Sequence, residues 1–516
     1  MKHKLFIFII WALPLLGSAQ QWVVDLNDYE DSSCILNGVS NDDGDVIAVG
    51  RFVNSDKTYY PLIIKIHDDG NYEEQDCSNF NDLGLWSVIK LQNGNYLSSG
   101  LSSNLMKIGV IVFNDNLDII TAKVYDADSI VTSSVNGRLN SDAQLLLDDD
   151  GTVVLCGAYQ YVDDYSYSFI TNMHRPYFYR FDETGDTLDY RYAHPQSNEP
   201  EYYLTPFSCQ KIMRSPVSDG YLLICRGGRS GSCSSFAYYD KDFNYVDNHT
   251  LMNPNISYWP MFDICNSDYM LSDDRMLVFG CNGHKSIKYD ENDLLLADAS
   301  VDGTVNSFVN IYHTADTSHL VGEHCMAVVN DTTIYGSFYS YIAFKNSSLQ
   351  QEVWPGICLF NKNMELLGLI SLPWEQYYWW QISTILPTDD GGCLMIGGCY
   401  TSFGGSRYFG VMFKLLREDF NPILCSVSEV PKERLKAMAF PNPTKGELNI
   451  DISNLPQNIE NRVSITDVSG MTRMCRIIQG SGNLLTIDVS SLEPGAYLYS
   501  VYNKEKEVFN GKFVKN

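Results

Sequence analysis

The sequence predicts an all-β chain: a seven-bladed β-propeller followed by a small immunoglobulin-like β-sandwich. Three observations carry that expectation. A polar acidic or Asn-Gly-type turn, followed by a short apolar strand that closes on Gly, occurs seven times, at residues 42–50, 92–100, 148–157, 218–228, 272–280, 329–336 and 388–398. Most of these strands are followed by another with its own acidic turn, as in PLIIKIHDDGN, YFYRFDETGDTLD and GVMFKLLREDFN. Apolar and aromatic β-formers ahead of Asp, Asn and Gly signal a hairpin, because those turn residues accept the backbone angles of a tight reversal. Finally, none of the seven units shows helical periodicity.

Taken in chain order, Lys2 and Lys4 precede an apolar run from Leu5 to Leu16, and Gly17-Ser18-Ala19 supplies small residues for cleavage before Gln20. That run is too short to span a bilayer and has the flanks of a signal peptide, so residues 1–19 are set apart from the fold. No Cys follows the small residues, which gives a lipoprotein anchor no support; the first is Cys34. No later apolar stretch approaches membrane-spanning length. Trp22 to Leu26 is placed to supply the strand that closes the ring. From Asp43 to Asp390 the units recur at about 58 residues each, enough for four strands and generous loops. Radial closure buries each blade on the next and leaves few sheet edges free. Units five and six lack the turn Gly, and six or eight blades are compatible with the same degenerate pattern. The propeller is expected over 20–425, with a charged, Pro-containing linker at 426–437 (SVSEVPKERLKA) and a separate domain at 438–516.

That last domain has a grammar of its own. Pro441-Asn442-Pro443 opens it, Gly446 follows in a turn, and an alternating strand places Leu448, Ile450 and Ile452 on one face. A strand from Val463 to Val468 turns at Ser469-Gly470. Then come Leu492, Pro494-Gly495, Tyr497 and a final strand with Lys512 and Phe513. These three patterns, in this order and spacing, resemble the type A C-terminal sorting domain of Bacteroidetes type IX secretion cargo. The resemblance implies export across the outer membrane by the type IX machinery, removal of the domain by a surface sortase, and a mature molecule of about residues 20–436 at or released from the cell surface. The paired-hairpin units also resemble the bacterial delta-60 type of propeller repeat, over residues 40–425.

Charge narrows the partners. The chain carries 36 Lys+Arg against 63 Asp+Glu, a net charge of −27. The C-terminal domain is balanced, so the acidity belongs to the propeller. A negative field repels polyphosphate and argues against nucleic acid and against simple binding to an anionic membrane. Fourteen Cys are too few to replace a core in a chain this long, and many sit in apolar strands where a thiol serves as a small hydrophobe. Export still permits disulfides, with Cys225–Cys233 and Cys393–Cys399 the local candidates.

Candidate sites are sparse. His313, His319, Glu323 and His324 are zinc-ligating types, but their spacing fits no metal motif and they fall in what reads as a long inter-strand insertion, so no metal site is assigned. The acidic turns at Asp42-Asp43-Gly44-Asp45 and Asp148-Asp149-Asp150-Gly151 are of a kind that binds calcium, yet neither completes a calcium loop and turn geometry already explains both. No cofactor is assigned beyond that calcium option. Thr388-x-Asp390-x-Gly392 reads as turn chemistry. Trp374, Tyr377, Tyr378, Trp379 and Trp380, with Trp259 of Tyr258-Trp259-Pro260, offer flat faces that stack on sugar rings or anchor a protein partner. Buried alternate members of a blade strand explain part of the same pattern. No nucleophile elbow, phosphate loop or cofactor fingerprint occurs. The expected function is therefore an exported, non-catalytic module that binds an extracellular glycan, peptide or protein. The alternative is a secreted hydrolase whose carboxylates converge in the propeller funnel.

Overall fold

The computed structural model describes residues 22–26, 32–77, 79–80, 82–132, 137–140, 143–161, 173–193, 206–227, 233–252, 262–282, 294–312, 317–342, 353–371, 379–400, 408–420, 439–451, 461–467, 472–478, 484–503 and 506–516. The chain divides into two compact units, residues 1–424 and 425–516; the residues expected to link them, 426–437, lie outside the described ones.

In the first unit, seven four-stranded antiparallel sheets follow one another along the chain. Blade one comprises Ser32–Ser40, Val46–Val53, Tyr59–Ile66 and Tyr72–Glu74, hydrogen-bonded in that order. Blade two, from Gly84–Lys90 to Ile119–Asp126, repeats the order. Blade three varies it, its innermost strand being split into Arg138–Leu139 and Gln144–Leu147, both paired with Val153–Tyr161. Blades four, five and six begin at Pro206–Arg214, Phe262–Ser272 and Thr317–Asn330. Blade seven takes only three strands from its own stretch, Trp379–Pro387, Cys393–Tyr400 and Tyr408–Leu415. Its outer strand is Trp22–Asp25, which pairs antiparallel with Tyr408–Leu415, so the N-terminal segment closes the ring as the sequence predicts. A single parallel bridge, His324 to Thr384, joins the innermost strands of blades six and seven.

Apolar strands in this unit are buried on both faces, which is why they read as continuous hydrophobic runs. In Val46–Val53, Ile47 and Val49 pack with Leu85, Val88 and Tyr96 of blade two, whereas Val46 and Ala48 pack with Leu394, Ile396 and Met412 of blade seven. The same division recurs around the ring. Seven hydrophobic clusters each join one pair of neighbouring blades, including seven with one.

The repeated Gly at the end of the second strand has a steric cause. The innermost strands carry register breaks between Ile35 and Asn37, Leu85 and Ser87, Cys209 and Lys211, and Ile382 and Thr384. A break of this kind presses the inner backbone onto its neighbour. A Cβ on Gly50 would lie 1.9 Å from the Cys34 carbonyl oxygen, and one on Gly100 1.9 Å from that of Gly84. Only hydrogen fits there.

In the second unit, Ala439–Phe440, Glu447–Asp451 and Leu484–Asp488 form one sheet. Asn461–Asp467, Thr472–Ile478, Gly495–Asn503 and Lys506–Lys515 form the other. Leu448, Ile450, Val463, Ile465, Tyr499 and Phe513 fill the space between as one core, making a small sandwich. Among the described residues, no helix is long and apolar enough to cross a membrane.

Candidate functional site: the axial channel and the two faces of the ring

Strand direction sorts the connections onto two faces. First-to-second and third-to-fourth strand turns, such as 41–45, 67–71, 91–95 and 114–118, are tight and share one face. The remaining connections leave from strand ends on the opposite face, and they include the longer ones, such as 127–137, 162–172, 253–261, 283–293 and 372–378.

The tight-turn face is occupied with holding blades together. The Asp115 carboxylate accepts hydrogen bonds from Lys65 Nζ at 2.7 Å and Asn41 Nδ2 at 3.0 Å in blade one, and from Tyr96 Oη at 3.0 Å in its own blade. Burial works against ionisation there, but those donors hold the carboxyl below the usual carboxylate range. Buried Asp148 is ion-paired with Arg214 of the next blade and accepts a hydrogen bond from Tyr221 Oη at 2.7 Å. Lys414 bridges Asp68 and Asp390, the latter at 2.8 Å. Thr388 donates to Asp390 at 2.6 Å, and the Gly392 amide donates to the same oxygen at 3.0 Å, the turn chemistry expected of that segment. The turns considered for calcium thus spend their oxygens on turns and ion pairs: Asp45 faces Lys65 and His67, and Asp42 faces Lys90.

Down the axis, polar side chains come from successive innermost strands. Asn37, Ser87, Gln144 and Thr384 are buried on blades one, two, three and seven. Lys211 of blade four is ion-paired with Asp268 of blade five, both partly open. His324 of blade six lies 2.9 Å from Asn37 Nδ2 through its Nε2. Burial, with the Lys211 charge adding to it, pushes the His324 imidazole down to about 3, so it is neutral. With Asn37 donating, Nε2 is the acceptor and the ring proton sits on Nδ1. Thr384 donates to the Leu36 carbonyl at 3.0 Å, tying blade seven to blade one at the same level. Among the described residues, the groups brought around the axis are therefore one cation, one carboxylate and neutral hydrogen-bonding side chains.

His324 corrects the sequence reading. The segment holding it is the innermost strand Thr317–Asn330 and not an insertion. A register shift between Val321 and Met326 breaks the alternation by which a strand is recognised. His313 and the side chains of His319 and Glu323 lie outside the described residues. Among the described residues, no group of three or more His, Cys, Asp or Glu side chains is arranged to hold a metal ion.

Both local disulfide candidates are corrected as well. Cys225 and Cys393 are free thiols, and both are buried, as is Cys399. Cys393 and Cys399 sit at opposite ends of the strand Cys393–Tyr400, about 20 Å apart at strand rise, beyond the reach of a disulfide. Cys225 has Ser235 opposite it, while Cys233 is opposite Gly227.

The aromatic candidates divide by position. Trp259, Trp374, Tyr377 and Tyr378 lie outside the described residues. Trp379 and Trp380 open the innermost strand of blade seven, opposite Tyr400 and Cys399, and their side chains are likewise outside the described set.

In the C-terminal unit most of the expected motif residues have structural work. Asn442, between Pro441 and Pro443, donates through Nδ2 to the Lys512 carbonyl at 3.2 Å and accepts from the Val514 amide at 2.9 Å, clamping the last strand. The Gly446 carbonyl accepts from the Val489 amide at 2.7 Å. Tyr497, just after Pro494-Gly495, donates to the Glu493 carbonyl at 2.9 Å. Gly495 and Lys512 pair with Lys515 and Leu498 respectively. Gly470 lies outside the described residues.

Residues 438–516 match the family described as the secretion system C-terminal sorting domain. No curated protein matches the chain at a significant level. Among solved structures, the chain is similar to a fungal alcohol oxidase of the AA5 family, in complex with copper, at 10% identity and a TM-score of 0.43, covering 96% of this chain and 98% of that one. It is similar to a catalytically inactive virginiamycin B lyase from Staphylococcus aureus at 9% identity and a TM-score of 0.38, covering 76% and 99%. It is also similar to an α-L-arabinanase from Penicillium chrysogenum at 10% identity and a TM-score of 0.33, covering 74% and 93%. At these scores none of their activities bears on this chain.

Proposed function

We propose, for a chain that ends in a type IX secretion sorting domain and is therefore a secreted or surface-attached cargo, that the propeller is a non-catalytic module binding an extracellular glycan, peptide or protein. Residues 1–19 act as its signal peptide, the route runs through the periplasm, and the sorting domain is handed to the secretion machinery and a surface sortase. Ligand is taken on the face of longer connections and at the adjoining mouth of the axial channel. The observation that supports this most is the division of labour between the two faces. The tight-turn face uses its polar groups to tie blades together, whereas the other face carries the longer connections. Propellers, like other rigid scaffolds, place binding residues on loops held by invariant strands.

A hydrolase would need two carboxyls about 5–10 Å apart, one with a raised pKa. Asp268 in the channel is instead engaged by Lys211, which favours binding over hydrolysis. The test is the mature chain on glycan and peptide arrays beside a hydrolysis screen. Specific binding without turnover is expected; turnover of any array member would replace this reading with the hydrolase.

A further inference from the structure

Between blades one and two, on the face of the longer connections, one arginine is held in an unusual setting. Arg51 lies near the end of Val46–Val53, Tyr59 begins the next strand, and Trp86 sits at the register break of Gly84–Lys90. The guanidinium carbon is 4.4 Å from the Tyr59 ring centre and 4.3 Å from that of Trp86. The two rings stand 5.9 Å apart at 49°, a V with the cation in its mouth. Gly84 leaves room for it, since a Cβ there would come within 2.7 Å of the Trp86 ring and 2.9 Å of Arg51 Cδ. Two aromatic faces orient the fork and desolvate it, but they supply no counter-charge.

Among the described residues, no carboxylate supplies that counter-charge. In a chain with 63 acidic residues, Arg51 forms no ion pair among the described residues, and it lies beside the buried Cys34 thiol, whose upward shift from burial its charge offsets in part. Its Nε is buried without a partner. Nearby, Asn54 donates to Tyr60 Oη at 3.3 Å while its own Oδ1 is buried and unpartnered. A half-buried cation between two rings is stabilised when an anionic acceptor reaches the open side of its fork. The other arginine–aromatic contacts differ: Arg214 meets Asp148, and Arg180 donates to Tyr221 Oη and the Lys241 carbonyl.

We propose that Arg51, framed by Tyr59 and Trp86, is the point at which the propeller takes an acidic group of a saccharide, a carboxylate or a sulfate. The fork matches either oxyanion in a bidentate manner, and the flanking rings suit a sugar face. This rests on the binding-module reading above and names the ligand class for one part of that face.

The mature chain is titrated with a uronate oligosaccharide, a sulfated oligosaccharide and a neutral oligosaccharide of equal length, following tryptophan fluorescence and heat. At least one acidic ligand is expected to bind about tenfold or more tighter than the neutral one, and more weakly as salt rises. The uronate and sulfate arms tell which oxyanion is preferred. Arg51→Lys, which keeps the charge and loses the fork, is expected to weaken acidic binding by about tenfold. Acidic ligands binding no better than the neutral one would overturn the proposal, and this comparison needs no variant to fold. So would a folded Arg51→Lys protein that binds like wild type. If neutral glycans or peptides bind while acidic ones do not, the Arg51 site falls and the binding-module reading stands. Turnover, or no binding to any ligand, removes both.

Discussion

His324 makes the folded chain sensitive to acid in a window where few other groups titrate. In an unfolded chain its imidazole protonates near the ordinary value of 6.5; in the folded channel burial, helped by Lys211, defers that to about 3. Between those values the unfolded state binds the extra proton, so the contribution is whole above the unfolded pKa and is lost as pH falls towards 3. On lowering the pH to about 5.5, wild type is expected to lose about 1.4 kcal/mol more than His324→Gln, measured by chemical denaturation at each pH. Equal slopes would show that the imidazole is solvated in the folded state. Asp148 offers a second test, because its carboxylate answers both Arg214 and Tyr221 across a blade boundary. Asp148→Ala is expected to cost about 3 kcal/mol by the same measurement, whereas a calcium-ligand role would instead show as a stability that falls with chelator. Neither residue's part was legible beforehand. An acidic turn looks the same in sequence whether its oxygens meet an arginine, a metal or water, since the partner sits more than sixty positions away.

The strand that closes the ring was readable, the innermost strands much less so. Trp22–Asp25 is a short run of β-formers with a vacancy to fill, because blade seven supplies only three strands of its own. Leu26 follows it, is 1% exposed and joins Ile35, Ile64 and Met412 in the cluster between blades seven and one. Leu26→Ala is expected to cost about 2–5 kcal/mol and to lower the midpoint of the whole propeller, read by far-UV circular dichroism on melting. A separate early transition limited to blade seven would mean that the closing strand is not integral to the ring. The second strands were equally plain, since each is a turn, an apolar run and a Gly, which at Gly50 and Gly100 is forced by close backbone approach and at Gly157 and Gly398 by a facing tyrosine ring. The innermost strands hid because their register breaks shift which residues face inward. For the same reason Asn37, Lys211 and Thr384 carried no signal as a set: seven strands each contribute about one residue, and only closure assembles them.

At the scale of the whole molecule, no blade owns a core. Each of the seven clusters in the propeller draws on two neighbouring blades, so a missing blade bares two apolar faces at once and the ring should melt as one unit. The sorting unit stands on different ground. Among the described residues its core runs from Leu448 to Phe513, and the propeller clusters run no further than Phe420. Each unit thus has a core of its own among the described residues. The truncated protein, ended before Met438, is expected to keep the near-UV circular dichroism of the propeller and its melting midpoint within about a degree, because the propeller keeps its own core. In the cell of origin it should accumulate, folded, in the periplasm, while the full chain reaches the surface. Protease accessibility on intact cells separates the two locations. Surface exposure of the truncated chain at the full-length level would show that export does not depend on residues 438–516, and a lowered melting midpoint would show that the sorting unit also braces the ring.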